Sequence, residues 1–550
     1  MLVVLVVGVG ARVWFALRIQ HPGHGDFSFY YTLGENLATG RGFQIDYIWH
    51  YLSNPTTLTH YANDYWMPMT AIIISISMAM WDVSLFAALL PSIGAGVGLV
   101  LLTFLLAMLV AGSRRVALWS SAIMVVLPTP FYYSLVTDST IYYSLFVTLC
   151  LFFLVWGMLH APHAKDAPVS PAAHLAVPAP APFILAAVWA ALAHLTRQDG
   201  MLLVPVIGGA IFFSALPRRT MVMTVLAAGG AYLLILAPLL SHHLARYGVP
   251  FPPGPGKTMF LTSYEDLYVF SKPLSFQSYL QWGWSAIIWS KLEALFLGFL
   301  SLRELLPLLL WVPVVVGLYD IIIAGDRSQK TASTIFFSFL FILLGFHALV
   351  ATFPGVGAFA RSSTAITPLL AIILVATIFR RIPSPSLATL LMVLILAFSF
   401  SLSVGRAQQI IARHNAMATD LERVREIITE DARAWDAVSL RVGNTPGQRE
   451  VVIMTRYPWQ VYHSTRYRTT QLPNEDRDTI YQVAQQFGAT YLLLPAPREA
   501  MRPLYVREEQ DPRFPFVADV SDSYYKVFRI VPRHSLTQVP YFAILKAENR

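Results

Sequence analysis

Cysteine occurs once in this chain, at Cys150, and that residue stands in an apolar run. Disulfides within the chain and thiolate metal sites are thereby excluded, and cysteine usage says nothing about the compartment. Charge is scarce as well. Asp, Glu, Lys and Arg make up 13% of the 550 residues, about half the ~25% of an ordinary soluble domain. His-Glu-x-x-His, Gly-x-x-x-x-Gly-Lys-Ser/Thr and Gly-x-Ser-x-Gly are all missing, which removes the zinc-protease, phosphate-loop and serine-hydrolase signatures. The net charge is only +8. Much of it flanks apolar runs, where a cytoplasmic bias of Lys and Arg explains it better than nucleic-acid binding.

What the chain has is hydrophobicity: 56% of its residues, with a mean hydropathy of +0.55. It is an integral membrane protein. A crossing helix needs roughly 20 apolar residues, and runs of that kind lie at 1–19, 91–112, 116–135, 139–159, 221–241, 305–324, 332–351, 363–379 and 387–405. Two shorter ones, 181–196 and 201–216, form a hairpin around Arg197-Gln198-Asp199-Gly200. That predicts eleven spans, with the chain ends on opposite sides. The first run lacks the basic leader and cleavage site of a signal peptide, so it reads as a retained span. The block 67–81 is too short to cross and reads as re-entrant or interfacial.

Basic clusters give an independent orientation. Arg114-Arg115, the 160–165 stretch, Arg218-Arg219, Arg327 with Lys330, and Arg380-Arg381 all fall in loops on the N-terminal side, which places that side in the cytoplasm. The C-terminal region is then extracytoplasmic, and the expected location is the plasma membrane. The Pro/Ala-rich stretch 167–182 reads as a disordered cytoplasmic linker. After residue 405 acids, bases and short strand-like runs replace the apolar blocks. This divides the chain into a membrane domain, 1–405, with a large first outer loop at 20–90, and a soluble domain, 406–550. The overall expectation is a polytopic α-helical membrane protein with a C-terminal α/β domain.

The outer face gathers the chemistry. Residues 27–39 have helical spacing with an apolar stripe of Phe27, Tyr30, Tyr31, Leu37 and Ala38, which predicts a helix lying along the membrane surface. Asp26 falls at or near its N-cap, a position Asp favours. Asp138 also precedes a helix on that side. His194, Arg197, His242, His243, Arg246, Lys257 and Arg361 share the face, although long cationic side chains often only snorkel at such places. His347, inside a span, reads as hydrogen-bonded core. An enzyme facing away from cytoplasmic nucleotides needs an activated substrate that crosses the membrane, as lipid-phosphate sugars do. From the residues alone, transport remains an equal reading.

The order of several segments resembles the GT-C superfamily of membrane glycosyltransferases, in the branch of protein O-mannosyltransferases and lipid A aminoarabinose transferases. The segments are Asp26 with "FSFYYTLGENLATGRGF", "YWMPMTAIII", "LVTDSTIYYSLFVTL", "LAHLTRQDG" and "FARSSTAITPLL", within about residues 1–380. Gln198 stands where the family's turn usually has proline. The resemblance implies that Asp26 is the first-loop catalytic carboxylate, Asp138 the second acidic position, and a polyprenyl-phosphate sugar the donor. In an inverting transfer Asp26 would take the acceptor's proton while cations hold the phosphate. The candidates are Arg197, Lys257 and Arg361, with His242, His243 and Arg246 in reserve. The acceptor is a glycan, lipid or protein in the cell envelope. No metal motif like that of oligosaccharyltransferases is evident, and a divalent ion is left open. No cofactor is firmly implied.

In the soluble part, 406–435 and 476–488 read as helices and 450–458, 489–495 and 524–532 as strands. "RYPWQVYHSTRYRT" mixes Arg with aromatics, a combination suited to carbohydrate and also ordinary in strands and turns. The alternatives to a transferase are a transporter or flippase of lipid-linked saccharides, and a non-enzymatic assembly or sensor protein. A transporter needs acids and bases within its spans, and here those are nearly free of charge apart from Arg12, Arg18 and Asp320.

Overall fold

A computed structural model describes residues 1–160, 180–441, 450–495, 498–520 and 524–533; most of the 167–182 stretch lies outside the described residues. Two compact units are present: Met1–Arg18, Trp66–Pro252 and Trp282–Ile411 form the first, and Ile19–Tyr65, Pro253–Gln281 and Ala412–Arg550 the second. The composition boundary near residue 405 falls inside one continuous helix, Pro385–Arg441. Two segments expected within the membrane domain, 19–65 and 253–281, fold with the C-terminal region instead.

The first unit is helical. Among the described residues, seven helices are long and apolar enough to cross a bilayer: Leu85–Ala111, Ser139–His160, Arg218–Tyr247, Trp284–Glu304, Arg327–Leu349, Thr352–Arg381 and Pro385–Trp435. Shorter apolar helices cover Leu2–Ala16, Met69–Met80, Ala181–Thr196, Gln198–Phe212 and Leu308–Ala324. The run 116–135 is split into Arg114–Val126 and Pro128–Tyr133. Leu127, which precedes Pro128, is extended (φ −66°, ψ 129°), because proline disfavours helical backbone in the residue before it. The Trp284–Glu304 helix is a correction, because the apolar runs of the sequence place no span between 241 and 305. Lys291 and Glu293 interrupt its apolar score, yet Lys291 reaches the Thr352 hydroxyl.

Leu99, Val147, Leu151, Phe183, Leu370 and Leu374 pack fully buried in the core of this unit. The charges that the sequence places inside spans have local partners. Arg12 donates to the Gly8 carbonyl at 3.1 Å and lies 4.8 Å from the Phe131 ring centre. Asp320 is paired by Arg380 and Arg381.

The second unit is built on a six-stranded sheet: β1 (Tyr47–Ile48), β2 (Val452–Thr455), β3 (Arg468–Gln471), β4 (Tyr491–Leu494), β5 (Phe516–Asp519) and β6 (Lys526–Arg529). Its spatial order is β1-β3-β2-β4-β6-β5. The first four are parallel, with Ile48 level with Thr470 and Ile453 level with Thr469; β6 and β5 continue antiparallel. Parallel strands need long crossovers, and the helices Pro458–Thr465 and Arg477–Gln486 supply two of them. Covering both faces favours apolar strands, as in the buried run Val452-Ile453-Met454 of β2, whereas β3, Arg468-Thr469-Thr470-Gln471, is polar. Glu265, in the 253–281 segment, pairs with Arg456 at 3.0 Å and with Arg498, which fastens that segment to the sheet.

Candidate active site

In the first unit a group of buried ionic side chains forms where three helix ends meet. The helix Ser139–His160 begins beside Asp138, whose Oδ1 accepts from the Thr140 N–H at 2.7 Å. That is the expected capping bond, and it uses one oxygen. The other, Oδ2, lies 3.6 Å from Arg361 Nη1 and makes no hydrogen bond among the described residues. Asp138 itself is wholly buried (0% exposed).

Beside it, the turn Arg197-Gln198-Asp199-Gly200 ends the helix Ala181–Thr196. A Cβ at Gly200 would lie 2.4 Å from the His194 backbone nitrogen, so glycine alone lets the chain double back so closely. Asp199 Oδ1 is 3.4 Å from Arg197 Nε. Its Oδ2 is 3.0 Å from His347 Nε2 and accepts from the Ser362 hydroxyl. Arg197 also donates to Ser362 at 3.0 Å and to Ser139 at 3.3 Å.

The two arginines differ in access. The Arg197 side chain is 14% exposed and that of Arg361 33%. Arg361 is thus the more accessible of the two, while Arg197 is held by Asp199, Ser362 and Ser139. Sequence reasoning treated Asp199 as a simple hairpin turn and His347 as core. Their pairing had one legible signal, the two-residue spacing of Arg197 and Asp199; His347 and Ser362 carried none.

The remaining cations lie elsewhere. His242 and Arg246 are exposed near the end of the helix Arg218–Tyr247, and His243 is buried there, its Nδ1 3.1 Å from the Pro250 carbonyl. Lys257 belongs to the second unit, where it donates to the Leu52 carbonyl at 2.6 Å; burial lowers its pKa.

Asp26 is also in the second unit. It is the first residue of the helix Asp26–Ala38, with Gly25 in the N-cap position, and it is half-buried. The surface-lying arrangement is corrected by the structure. Ser28 and Thr32, on the face expected to be polar, are 0% and 1% exposed, and Phe29 and Leu33 are fully buried. The aromatic content makes this a core helix, with protein on nearly every side.

A cavity of about 580 Å³ in the same unit is lined by Trp435, Arg468, Phe487 and Arg529 among others, and includes none of the predicted site residues. Among the described residues no group of three or more His, Cys, Asp or Glu side chains could hold a metal ion.

No family model matches the sequence, and no curated protein matches it. Solved structures do share the fold. ArnT from Cupriavidus metallidurans, bound to undecaprenyl phosphate, matches 97% of this chain and 98% of its own, with a TM-score of 0.55–0.56 across its bound and apo forms and 10% identity in the bound one. The archaeal oligosaccharyltransferase AglB from Archaeoglobus fulgidus, in complex with an inhibitory peptide and a dolichol-phosphate, matches 92% of this chain and 70% of its own, at TM-score 0.55 and 13% identity. Both are GT-C membrane glycosyltransferases, and the likeness gives this chain their fold.

Proposed function

From a chain with the GT-C fold, we propose a glycosyltransferase that moves a sugar from a polyprenyl-phosphate donor to an acceptor hydroxyl outside the cytoplasm, with inversion at the anomeric carbon. The observation that carries the reading is the fold shared along nearly the whole chain with a transferase whose structure holds undecaprenyl phosphate. Asp26 is the base. Its carboxylate takes the acceptor's proton as the new C–O bond forms and the bond to the donor phosphate breaks. The lipid phosphate leaves with the electron pair. Arg361 takes the phosphate charge, and a guanidinium suits it because its donors match phosphate oxygens in pairs. Arg197 orients that arrangement through Ser362. Asp138 keeps the Arg361 guanidinium in place while capping its own helix. Such donors, fixed before reaction in a water-poor site, stabilise developing charge better than water does.

The direct test is an assay of the purified protein with polyprenyl-phosphate sugars. Release of free lipid phosphate together with acceptor modification is expected, and a saccharide that crosses a vesicle membrane without bond cleavage would replace the transferase with a flippase. Arg361→Ala is expected to raise the donor KM on the order of 10- to 100-fold, the worth of a hydrogen bond to a charged group. Arg361→Lys should recover part of that. An unchanged donor KM in both variants removes Arg361 from the phosphate site.

Orientation is part of the proposal. Segments 19–65, 253–281 and 412–550 belong to one folded unit, so they share a side of the membrane, and the single crossing by the first apolar run, with a cytoplasmic N-terminus, puts that side outside. An alkaline phosphatase fusion after Leu440 should be active and one after Arg219 silent. The reverse pattern would place Asp26 in the cytoplasm.

A further inference from the structure

The stretch "RYPWQVYHSTRYRT" has no part in the chemistry above. It forms the helix Pro458–Thr465 and its left-handed end at Arg466. One face of that helix meets the turn that leads into Asp26. The Ser464 hydroxyl lies 2.9 Å from His21 Nε2. Gln460, 2% exposed, accepts from the Gly25 N–H at 3.4 Å. The His463 ring stands edge-on to His21 and to Tyr31, at centroid distances of 4.9 and 4.8 Å.

The turn itself is closely determined. Gly23 N–H donates to His21 Nδ1 at 2.9 Å, which puts the His21 proton on Nε2, facing Ser464. His414 Nδ1 donates to the His21 carbonyl at 3.0 Å. Gly23 has φ +107°, and a Cβ there would stand 2.5 Å from the His414 ring. The third turn of the helix that Asp26 begins is tied to the same element, since Glu35 receives both arms of Arg466 at 2.8 and 3.0 Å.

We propose that Gln460, His463 and Ser464 are positioning residues for Asp26, holding the 19–25 turn that presents its carboxylate, and that they hold it only while His21, His414 and His463 are neutral. The inference rests on the reading of Asp26 as base. It assigns the C-terminal region a task in that reaction: it sets the place of a side chain contributed by the first outer loop.

Neutrality follows from the surroundings. Burial, with His414 second, pushes His21 down to about 3. Burial lowers His414 to about 4, with His24 and Arg413 adding to the effect against the bond to the His21 carbonyl. His463 is held well below its ordinary value by burial, then by His21 and Arg466. The charged and titratable groups facing the cluster are therefore His24 and Arg413 beside His414, and Tyr31 and Arg466, the latter paired with Glu35, beside His463. A histidine freed from these contacts titrates near 6.5. The released turn thus binds more protons as pH falls below 6.5, and the held state loses ground from there down to the folded values. At pH 5 the preference for release grows about 30-fold for each of His21 and His414.

Hydrogen exchange on the full-length protein in lipid nanodiscs tests this. After correction for intrinsic rates, amides of residues 19–26 should lose protection by at least about tenfold between pH 7.5 and 5.0, with the helix Arg477–Gln486 unchanged. Ser464→Ala and Gln460→Ala should raise exchange of the same amides at pH 7.5 and lower kcat while leaving the donor KM in place, and should move the acid limb of the pH–kcat profile upward. His463→Phe, which keeps a ring but cannot titrate, should lessen the pH dependence of exchange and leave the part carried by His21 and His414. Protection of 19–26 that is indifferent to pH and to both alanine variants overturns the proposal. If Asp26→Asn keeps full turnover while the exchange pattern appears as described, the coupling stands and the base assignment fails, so the two failures are distinguishable.

Discussion

Asp26→Asn is expected to abolish sugar transfer, lowering kcat by ~10²–10⁴, the usual worth of a positioned base. The substitution keeps the side chain's size and removes its ability to accept a proton. Folding should survive it. Asp26 is the first residue of its helix and only half-buried, and the lost interaction of its charge with the helix N-terminus is about 0.3–1 kcal/mol. The turn before it is held by His21, Gly23 and Gly25 through contacts that do not involve the carboxylate. Donor KM should therefore stay near the wild-type value while lipid-phosphate release falls. Wild-type turnover in this variant would reduce Asp26 to a helix-end charge and no more.

Asp199→Ala should give the largest loss of stability. The carboxylate is 3% exposed and receives His347, Ser362 and Arg197 together. Removing one member of a buried ion pair leaves the other charge uncompensated, which costs about 3–5 kcal/mol. The measurement is thermal unfolding in detergent, with donor binding followed in parallel, because a displaced Arg197 also loosens Ser362, next in sequence to Arg361. Asp320→Ala is the control. Its partners Arg380 and Arg381 have side chains 46% and 55% exposed, so solvent already screens that pairing and the loss should be much smaller. Equal losses in the two variants would mean that the Asp199 cluster is as open to water as a surface pair.

Local properties are legible in the sequence. The spanning helices follow apolar runs of the required length, and the strands at Val452–Thr455, Tyr491–Leu494 and Lys526–Arg529 lie within stretches recognisable by their β-branched and aromatic residues. The helix Trp284–Glu304 was hidden because Lys291 and Glu293 dilute its hydropathy. Strand β1 was hidden for another reason. Tyr47-Ile48 is only two residues long, and it is a strand because β3 lies beside it with Thr469 and Thr470 in register. The aromatic helix after Asp26 was legible as a helix, while its burial on nearly all sides was not, since a stripe count cannot tell lipid from a second layer of protein.

By itself the sequence determined that this chain spans a membrane, that its charge collects in the loops, and that Asp26 and Asp138 each stand at the start of a helix. Hydropathy, helix-end preference and spacing act over a few residues, so they can be read along the chain. Tertiary structure alone decided that Asp138 meets Arg361, that Asp199 meets His347 and Ser362, and that the turn before Asp26 rests on Gln460, His463 and Ser464. Those pairings depend on separations of 3–5 Å between residues far apart in sequence, and only the packing of the folded elements brings such distances about.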